Sequence, residues 1–388
     1  MKVKKIVILG STGSIGVSSL DVISRYPNRF KVVGLTAYNN STLLEKQIKR
    51  FRPEYVGVGP KAFEGLKRKL SSLKVKVLNV ESDSSDLVSL NQVDIVVIGI
   101  SGSAALVPFL AAAKRGKTIA PANKEALVIA GDIILREAKR HKARIIPVDS
   151  EQSAIFQCLE GQNRKDLKKI FLTASGGALD NIPQNRFDRL TVKDILRHPR
   201  WKMGKKITID SASLMNKGFE VIEAQRLFDL KTKEIEVVIH PEAIVHSMVS
   251  FRDGSVVAQL GITDMRLPIQ YALSYPERLD TGLKELDFFK LKQLNFRKPD
   301  FKKFPALALS IHVAKTEGTL PSVLNAADEE AVASFLRGEL LFSQIYDVVE
   351  KVVLSHKVKK NPDLSAILAA DRWARVKSGK IIKNIRKK

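Results

Sequence analysis

Through the first 147 residues, short β-branched runs alternate with stretches of helical spacing. Lys5 to Leu9, Val32 to Leu35, Tyr55 to Val58, Val75 to Leu78, Ile95 to Ile98 and Arg144 to Ile146 read as strands. Because these runs are apolar throughout, both faces of the sheet must be covered, and the pattern predicts a parallel α/β sheet. From Asp149 to about Leu273 the pattern changes to α+β, with polar motifs between strands such as Val237 to Ile239 and Val256 to Leu260. A loop-like connector carrying Pro276, Gly282 and Pro299 follows. Leu307 to Lys315, Val323 to Leu336, Ile345 to Leu354 and Leu364 to Val376 then have helical spacing, which predicts a small C-terminal bundle. The expected domains are 1–147, 148–275 and 304–388, with 276–303 as connector.

The length of 388 residues fits two or three domains with sizeable cores. A single cysteine, Cys158, excludes a disulfide framework, and with no zinc-type Cys/His spacing the chain suits a reducing compartment, the cytoplasm. Met1-Lys-Val-Lys-Lys imitates the basic start of a signal peptide, but the apolar run behind it is too short and reads as a first strand. Ile95 to Ala113 carries no charge and comes close to the ~20 apolar residues of a membrane span. Gly99-Ile-Ser-Gly-Ser103 and Pro108 break it into strand, loop and helix, so no membrane partner is expected.

Charge changes the picture only a little. Lys and Arg number 65 against 41 Asp and Glu, a formal charge of +24. The last 17 residues, from Arg372, hold eight of the basic side chains and no acidic one; the rest are scattered, with no aromatic-interleaved basic stripe. That describes a solvated surface biased towards anionic small molecules rather than a nucleic-acid binder.

Candidate chemistry begins directly after the first strand, where Gly10-Ser-Thr12-Gly13-Ser14-Ile15-Gly16 opens a helix reaching about Arg25. Glycines there allow a tight turn and the approach of backbone N–H groups to a pyrophosphate at a helix N-terminus, so a dinucleotide site is expected. No acidic residue lies between Lys31 and Leu44, where a carboxylate would hold the ribose 2′-OH of NAD. Tyr38-Asn39-Asn40 is neutral, which favours NADP although the usual arginine is missing too. Asn123-Lys124-Glu125 forms a polar triplet between a short strand near Thr118 and a helix from Ala126 to Lys139; it reads either as a crevice group or as a helix start capped by Asn.

In Asp149-Ser150-Glu151-Gln152 the two carboxylates share a side if the backbone is extended, and would suit a hard cation, Mg²⁺ or Mn²⁺. The bland alternative is a helix N-cap with a first-turn acid. The densest polar region runs from His198 through Trp201, Met203, Gly204, Asp210, Ser211, Asn216 and Lys217 to Glu220. If Ser211 caps a helix, Asn216 and Glu220 share a face with Lys217 beside them, a plausible phosphate-and-metal pocket. Ser175-Gly176-Gly177, ending a strand, offers a second phosphate contact. Trp201 and Met203 read as core packing or as a lid over a site.

These residues, together with His240-Pro-Glu-Ala-Ile-Val-His-Ser-Met and Asp264-Met265-Arg266, resemble the 1-deoxy-D-xylulose 5-phosphate reductoisomerase family over nearly the whole chain. The resemblance implies an NADPH domain with a Rossmann-like sheet, an α+β catalytic domain with lid and dimer contact, and a helical C-terminal domain, assembled as a homodimer. It implies NADPH contacts at Gly10, Thr12, Gly13, Ser14, Ile15, Asn40, Asn123, Glu125 and Gly204. Substrate contacts fall on Lys124, Ser150, Glu151, Ser175, His198, Ser211, Asn216, Lys217 and Glu220, with Lys124 also catalytic. Asp149, Glu151 and Glu220 become ligands of a divalent cation, magnesium, manganese or cobalt, and 198–206 the lid. The implied reaction is a retro-aldol and aldol rearrangement of 1-deoxy-D-xylulose 5-phosphate, followed by hydride transfer from NADPH to give 2-C-methyl-D-erythritol 4-phosphate. Departures are Gln152 where many members have His, Pro121 before Ala-Asn-Lys-Glu, and a loose version of one loop at Ser101 to Phe109. Rival readings are a semialdehyde or homoserine dehydrogenase, the former needing a catalytic Cys that Cys158 suits poorly, and a basic NADP-sensing or nucleic-acid-binding protein.

Overall fold

Each apolar run read as a strand in the N-terminal region is one in the computed structural model, which describes residues 2–197, 200–201 and 203–386. Strands β1 (Lys4–Leu9), β2 (Phe30–Ala37), β3 (Tyr55–Val58), β4 (Lys76–Asn79), β5 (Ile95–Ile98), β6 (Thr118–Pro121) and β7 (Arg144–Ile145) form one sheet in the order β4-β3-β2-β1-β5-β6-β7. Every pairing is parallel. Crossovers are made by α1 (Ser14–Arg25), α2 (Ser41–Phe51), α3 (Pro60–Lys69), α4 (Val80–Ser89), α5 (Leu106–Lys114) and α6 (Glu125–Arg140). Covered on both faces, β1 and β5 are buried from Ile6 to Leu9 and from Ile95 to Ile98, the reason their sequences do not alternate. Strand order reverses between β1 and β5, so the ligand crevice of such a sheet opens at the carboxyl ends of these two strands.

This sheet belongs to a compact unit made of residues up to Ala126, Ile134–Ser153 and Asp264–Lys284. The returning segment carries α11 (Arg266–Ser274) and lies along α1 and the start of the sheet. Arg266 reaches Asp21 at 3.1 Å, Arg29 pairs with Glu277 at 2.6 Å, Lys4 Nζ donates to the Leu273 carbonyl at 3.0 Å, and Tyr26 donates to the Asp280 carbonyl.

The second unit comprises Leu127–Ile133, Ala154–Thr263 and Glu285–Lys388, and α7 (Ser150–Leu159) begins in the first unit and ends in the second. Its sheet is β8 (Leu167–Ala174), β9 (Ile235–Ile239), β10 (Val245–Phe251) and β11 (Val256–Leu260) in the order β11-β10-β8-β9. The β8 and β9 pair is parallel and the others antiparallel. Helices are α8 (Val192–Ile195), α9 (Lys205–Ser213), α10 (Met215–Leu227), α12 (Phe288–Leu291), α13 (Pro305–Thr316), α14 (Leu320–Leu336), α15 (Phe342–Leu354) and α16 (Leu364–Ile385). One core runs from Ile170 and Leu172 on the sheet through Phe219 and Ile222 to Leu324, Val349 and Ala374 of the bundle. Gly218 lets α10 approach α13, since a Cβ there would lie 2.2 Å from Ser310 Oγ.

The last helix extends to Ile385, beyond the expected end at Val376. Its buried stripe continues through Ala374, Ser378 and Ile382, but Ser378 and Gly379 conceal the repeat from an apolar count, and Lys and Arg are good helix formers. Among the described residues no helix is long and apolar enough to cross a membrane.

Candidate active site

In the first unit the glycine turn after β1 is shaped by contacts that exclude side chains. Gly10 has φ +83°, and a Cβ there would lie 2.8 Å from the Gly99 carbonyl oxygen, across the gap between the loops following β1 and β5. A Cβ on Gly16 would lie 2.3 Å from Ser11 Cα and 2.4 Å from the Gly10 oxygen. The α1 N-terminus therefore starts flush against the turn. Gly13 is its N-cap, Ser14 and Ile15 begin the helix, no side chain caps it, and Gly13 and Ser14 are exposed. A helix N-terminus without a side-chain cap is suited to a pyrophosphate. Two residues that were not singled out in the sequence hold the turn: Gly10 N–H donates to Thr36 Oγ1 at 3.0 Å, and Gln47 exchanges bonds with the Ser11 hydroxyl (2.7 Å) and carbonyl (2.8 Å). The signal for Gln47 was a polar residue beside Ile48 on the buried stripe of an amphipathic helix.

Asn40 N-caps α2, accepting from the Leu43 N–H at 3.0 Å. Asn123 holds the helix start, as its capping alternative had it: its oxygen accepts from the Ala126 N–H at 2.9 Å, and its amide donates to the Ile100 and Gly102 carbonyls at 2.9 and 3.0 Å. Glu125 accepts from the Gly102 N–H at 3.3 Å, so the pair fixes the loop after β5. Lys124, 5% exposed in its side chain, sits 2.5 Å from Asp149 Oδ2. Asp149 is not in extended backbone with Glu151; its carbonyl accepts from Ser153 N–H at 2.8 Å as α7 begins at Ser150. The helix-start alternative thus describes the backbone, while Ser150 Oγ donates to Glu151 Oε2 at 2.5 Å.

In the second unit, Ser175 follows β8, and Gly176 and Gly177 have φ of +91° and +72°. A Cβ on Gly177 would lie 2.4 Å from the Ser211 carbonyl oxygen, so this turn presses directly on α9. Ser211 does not cap a helix. It lies inside α9, whose N-cap is Gly204; Leu214, with φ +59°, turns the chain into α10. The i, i+4 relation survives nevertheless, because both residues fall within α10: Asn216 Nδ2 donates to Glu220 Oε1 at 2.6 Å. Lys217 pairs with Glu220, and both are almost fully buried. Lys205 and Lys206, expected in the lid, are already helical. Trp201 packs against His246 with ring centroids 6.1 Å apart, and Met203 is half-buried. His198 lies outside the described residues.

His240 is buried, with Nδ1 2.9 Å from the Asn295 carbonyl and Nε2 accepting from the Ile244 and Val245 N–H groups at 3.2 and 3.1 Å. Two N–H donors on Nε2 place a ring proton on Nδ1, and the histidine ties the loop at Asn295 to the start of β10. Sequence reasoning missed a buried charge cluster: Lys206 Nζ lies 2.7 Å from both Asp210 and Asp328. Burial pushes the Asp328 carboxyl above the usual aspartate range, against the opposing pull of Lys206. Its signal was weak, since Asp328 opens the run Asp328-Glu329-Glu330, which reads as a solvated acidic face.

A parallel sheet with a glycine cradle at its switch point, and a buried lysine–aspartate pair at the far end of that sheet's sequence, define a dinucleotide-binding α/β protein with an acidic polar site. Three family models match: 1-deoxy-D-xylulose 5-phosphate reductoisomerase over residues 6–131, its C-terminal domain over 145–228, and the DXP reductoisomerase C-terminal domain over 260–377. The chain is 49% identical to 1-deoxy-D-xylulose 5-phosphate reductoisomerase of Caldanaerobacter subterraneus subsp. tengcongensis, covering 95% of this chain and 96% of that one. It is 48% identical to that of Pelotomaculum thermopropionicum, covering 98% and 99%. The solved structure of DOX-P reductoisomerase in complex with NADPH, fosmidomycin and magnesium superposes with a TM-score of 0.95 at 38% identity, covering 99% of each chain. The enzyme from Zymomonas mobilis in complex with NADPH gives 0.91 at 37%, covering 98% and 99%. The chain belongs to the 1-deoxy-D-xylulose 5-phosphate reductoisomerase family.

Proposed function

We propose that this protein converts 1-deoxy-D-xylulose 5-phosphate to 2-C-methyl-D-erythritol 4-phosphate with NADPH and a divalent cation. The observation that carries the reading is the pair of carboxylates at the start of α7, Asp149 held by the buried Lys124 and Glu151 held by Ser150, which offers hard oxygen donors to a cation, and Glu220 on α10 is assigned as the third donor. The glycine turn supports the nucleotide half, since Gly10 and Gly16 let the backbone close tightly on the loop after β5 and on the start of α1, the turn geometry that a pyrophosphate site requires. When bound, the cation supplies Lewis acidity and a template for the substrate's ketone and hydroxyl oxygens, and NADPH supplies the hydride.

The chain's own residues do the rest. Lys124 keeps an ammonium against Asp149 and holds a proton at Nζ for a substrate oxygen. Asn216 and Lys217 orient Glu220. Ser175, Ser211, Asn216 and Lys217 take the substrate phosphate, a role supported by the close packing of the Ser175 turn on Ser211. Ser150 orients Glu151. His198, Trp201 and Met203 close over the substrate and exclude water. Thr12, Gly13, Ser14, Ile15, Asn40, Asn123, Glu125 and Gly204 border the nucleotide. In this reading 1–147 binds NADPH, 148–275 carries the chemistry and the dimer contact, 276–303 connects, and 304–388 forms the helical domain. The protein is a cytoplasmic homodimer. The dimer is supported by the edge strand β11, where Val256 and Val257 are 50% and 38% exposed and ask for a partner.

The test is NADPH consumption by the purified protein with deoxyxylulose phosphate, followed with and without Mg²⁺ or Mn²⁺. Oxidation that persists after chelation, or none with the cation at saturation, overturns the reading.

A further inference from the structure

Tyr38 is the first residue after β2 and is 56% exposed, although it is anchored at both ends. Its carbonyl accepts from the Gly59 N–H at 3.1 Å beyond the end of β3, and its hydroxyl donates to Glu81 Oε1 at 2.5 Å in the first turn of α4. A Cβ on Gly59 would lie 2.5 Å from the Tyr38 oxygen and 3.3 Å from its ring carbon Cγ, so only glycine lets the tyrosine settle on the rim of the sheet. Since the strand order is β4-β3-β2-β1, the side chain runs along the carboxyl rim on the side of β2 away from β5. Dinucleotide sheets place the pyrophosphate at the glycine turn after β1 and the adenosine ribose at the end of β2. A fixed, solvent-facing aromatic ring therefore stands on the adenosine side of the cradle. Such a ring offers a flat π face to a base, and its two anchors restrict its freedom before the base arrives.

We propose that Tyr38 is the platform on which the adenine ring of the dinucleotide stacks, held in place by the Glu81 carboxylate. This rests on the dinucleotide reading of the glycine cradle. The hydroxyl bond also holds the Tyr38 proton more firmly than usual, because Glu81 accepts it. Glu81 brings a carboxylate to the neighbourhood of β2 that the stretch from Lys31 to Leu44 lacks, and Tyr38 engages it.

Full-length protein is titrated calorimetrically with NADPH, with 2′,5′-ADP and with reduced nicotinamide mononucleotide. Replacing a stacking aromatic by alanine weakens base binding by roughly 1–3 kcal/mol, so Tyr38→Ala is expected to weaken 2′,5′-ADP at least about fivefold, while leaving the mononucleotide within about twofold. Tyr38→Leu keeps bulk without a π face and is expected to lose nearly as much; Tyr38→Phe keeps the ring without its anchor and loses less. Equal 2′,5′-ADP affinity in wild type and the Leu variant, or an equal loss for both halves of the cofactor, overturns the platform while leaving the dinucleotide site standing. Wild-type protein that binds neither NADPH nor 2′,5′-ADP removes both.

Discussion

Replacing Lys206 by methionine would take away the cation shared by two buried carboxylates while leaving most of the side-chain stem. Its Nζ lies 2.7 Å from Asp210 and 2.7 Å from Asp328, residues that are 2% and 1% exposed, and 4.6 Å from the centroid of the Phe219 ring. Removing one partner of a buried pair typically costs about 3–5 kcal/mol, because the surviving charge is stranded away from water. Two features reduce that figure. The Lys206 side chain is 22% exposed, so water can enter behind it, and burial already predisposes Asp328 to take up a proton. A destabilisation of about 2–3 kcal/mol follows, which lowers Tm by roughly 4–12 °C for a cooperative unit of this size.

The pH dependence has a definite sign. The folded Asp328 carboxyl titrates above its unfolded value, so the folded chain holds the extra proton. Its contribution to stability is complete below the ordinary aspartate value and is lost as pH rises through the raised folded value. Facing it, Lys206 and Asp210 pull the value down and Glu329 pushes it up; removing Lys206 raises it further. The deficit of Lys206→Met should therefore be smaller in mildly acidic than in neutral buffer. Thermal and urea unfolding in both buffers measures this, and Lys206→Met combined with Asp328→Asn should recover part of the loss because no charge is left stranded at position 328. A variant melting within about 1 °C of wild type, or one whose deficit grows on acidification, would refute the reasoning.

Glu220→Gln should abolish turnover but leave calorimetric NADPH binding unchanged, because one charged oxygen leaves a hard-cation set; wild-type turnover at limiting Mg²⁺ would rule out the ligand assignment. Lys217→Ala should lower kcat/KM for the phosphorylated substrate at least about tenfold, or about 1.4 kcal/mol. It should scarcely alter any activity on unphosphorylated deoxyxylulose, and an equal proportional loss on both would move Lys217 from the phosphate to the reacting end, where its pairing with Glu220 would matter. NADPH should be used more efficiently than NADH, since no carboxylate between Lys31 and Leu44 holds a free 2′-OH; equal kcat/KM at one ionic strength would contradict this.

The parallel sheet was legible because a doubly covered strand is apolar at every position, and the glycine turn because only glycine tolerates its contacts. Asn216 and Glu220 were legible as a helical pair because their relation depends on spacing alone. The start of that helix was not, because Leu214 adopts a left-handed conformation that no neighbouring glycine announces, and so Ser211 fell inside α9. The partnership of Lys206 with Asp328 joins residues far apart in sequence, a contact no local pattern records. Gln47 looked like an ordinary helix polar residue until its partner Ser11 was brought beside it by the sheet.

The segment Asp264–Lys284 that lies along α1 has a consequence for synthesis. About 110 residues of the second unit, Ala154–Thr263, leave the ribosome before it does. At about 5–20 residues per second this is a delay of roughly 5–20 s, during which Lys4, Asp21, Tyr26 and Arg29 await partners that do not yet exist. A nascent chain stopped at residue 153 would carry the glycine cradle without the helix that packs on α1. The unit that carries the glycine cradle is thus first to be started but stays incomplete until Lys284 has been made.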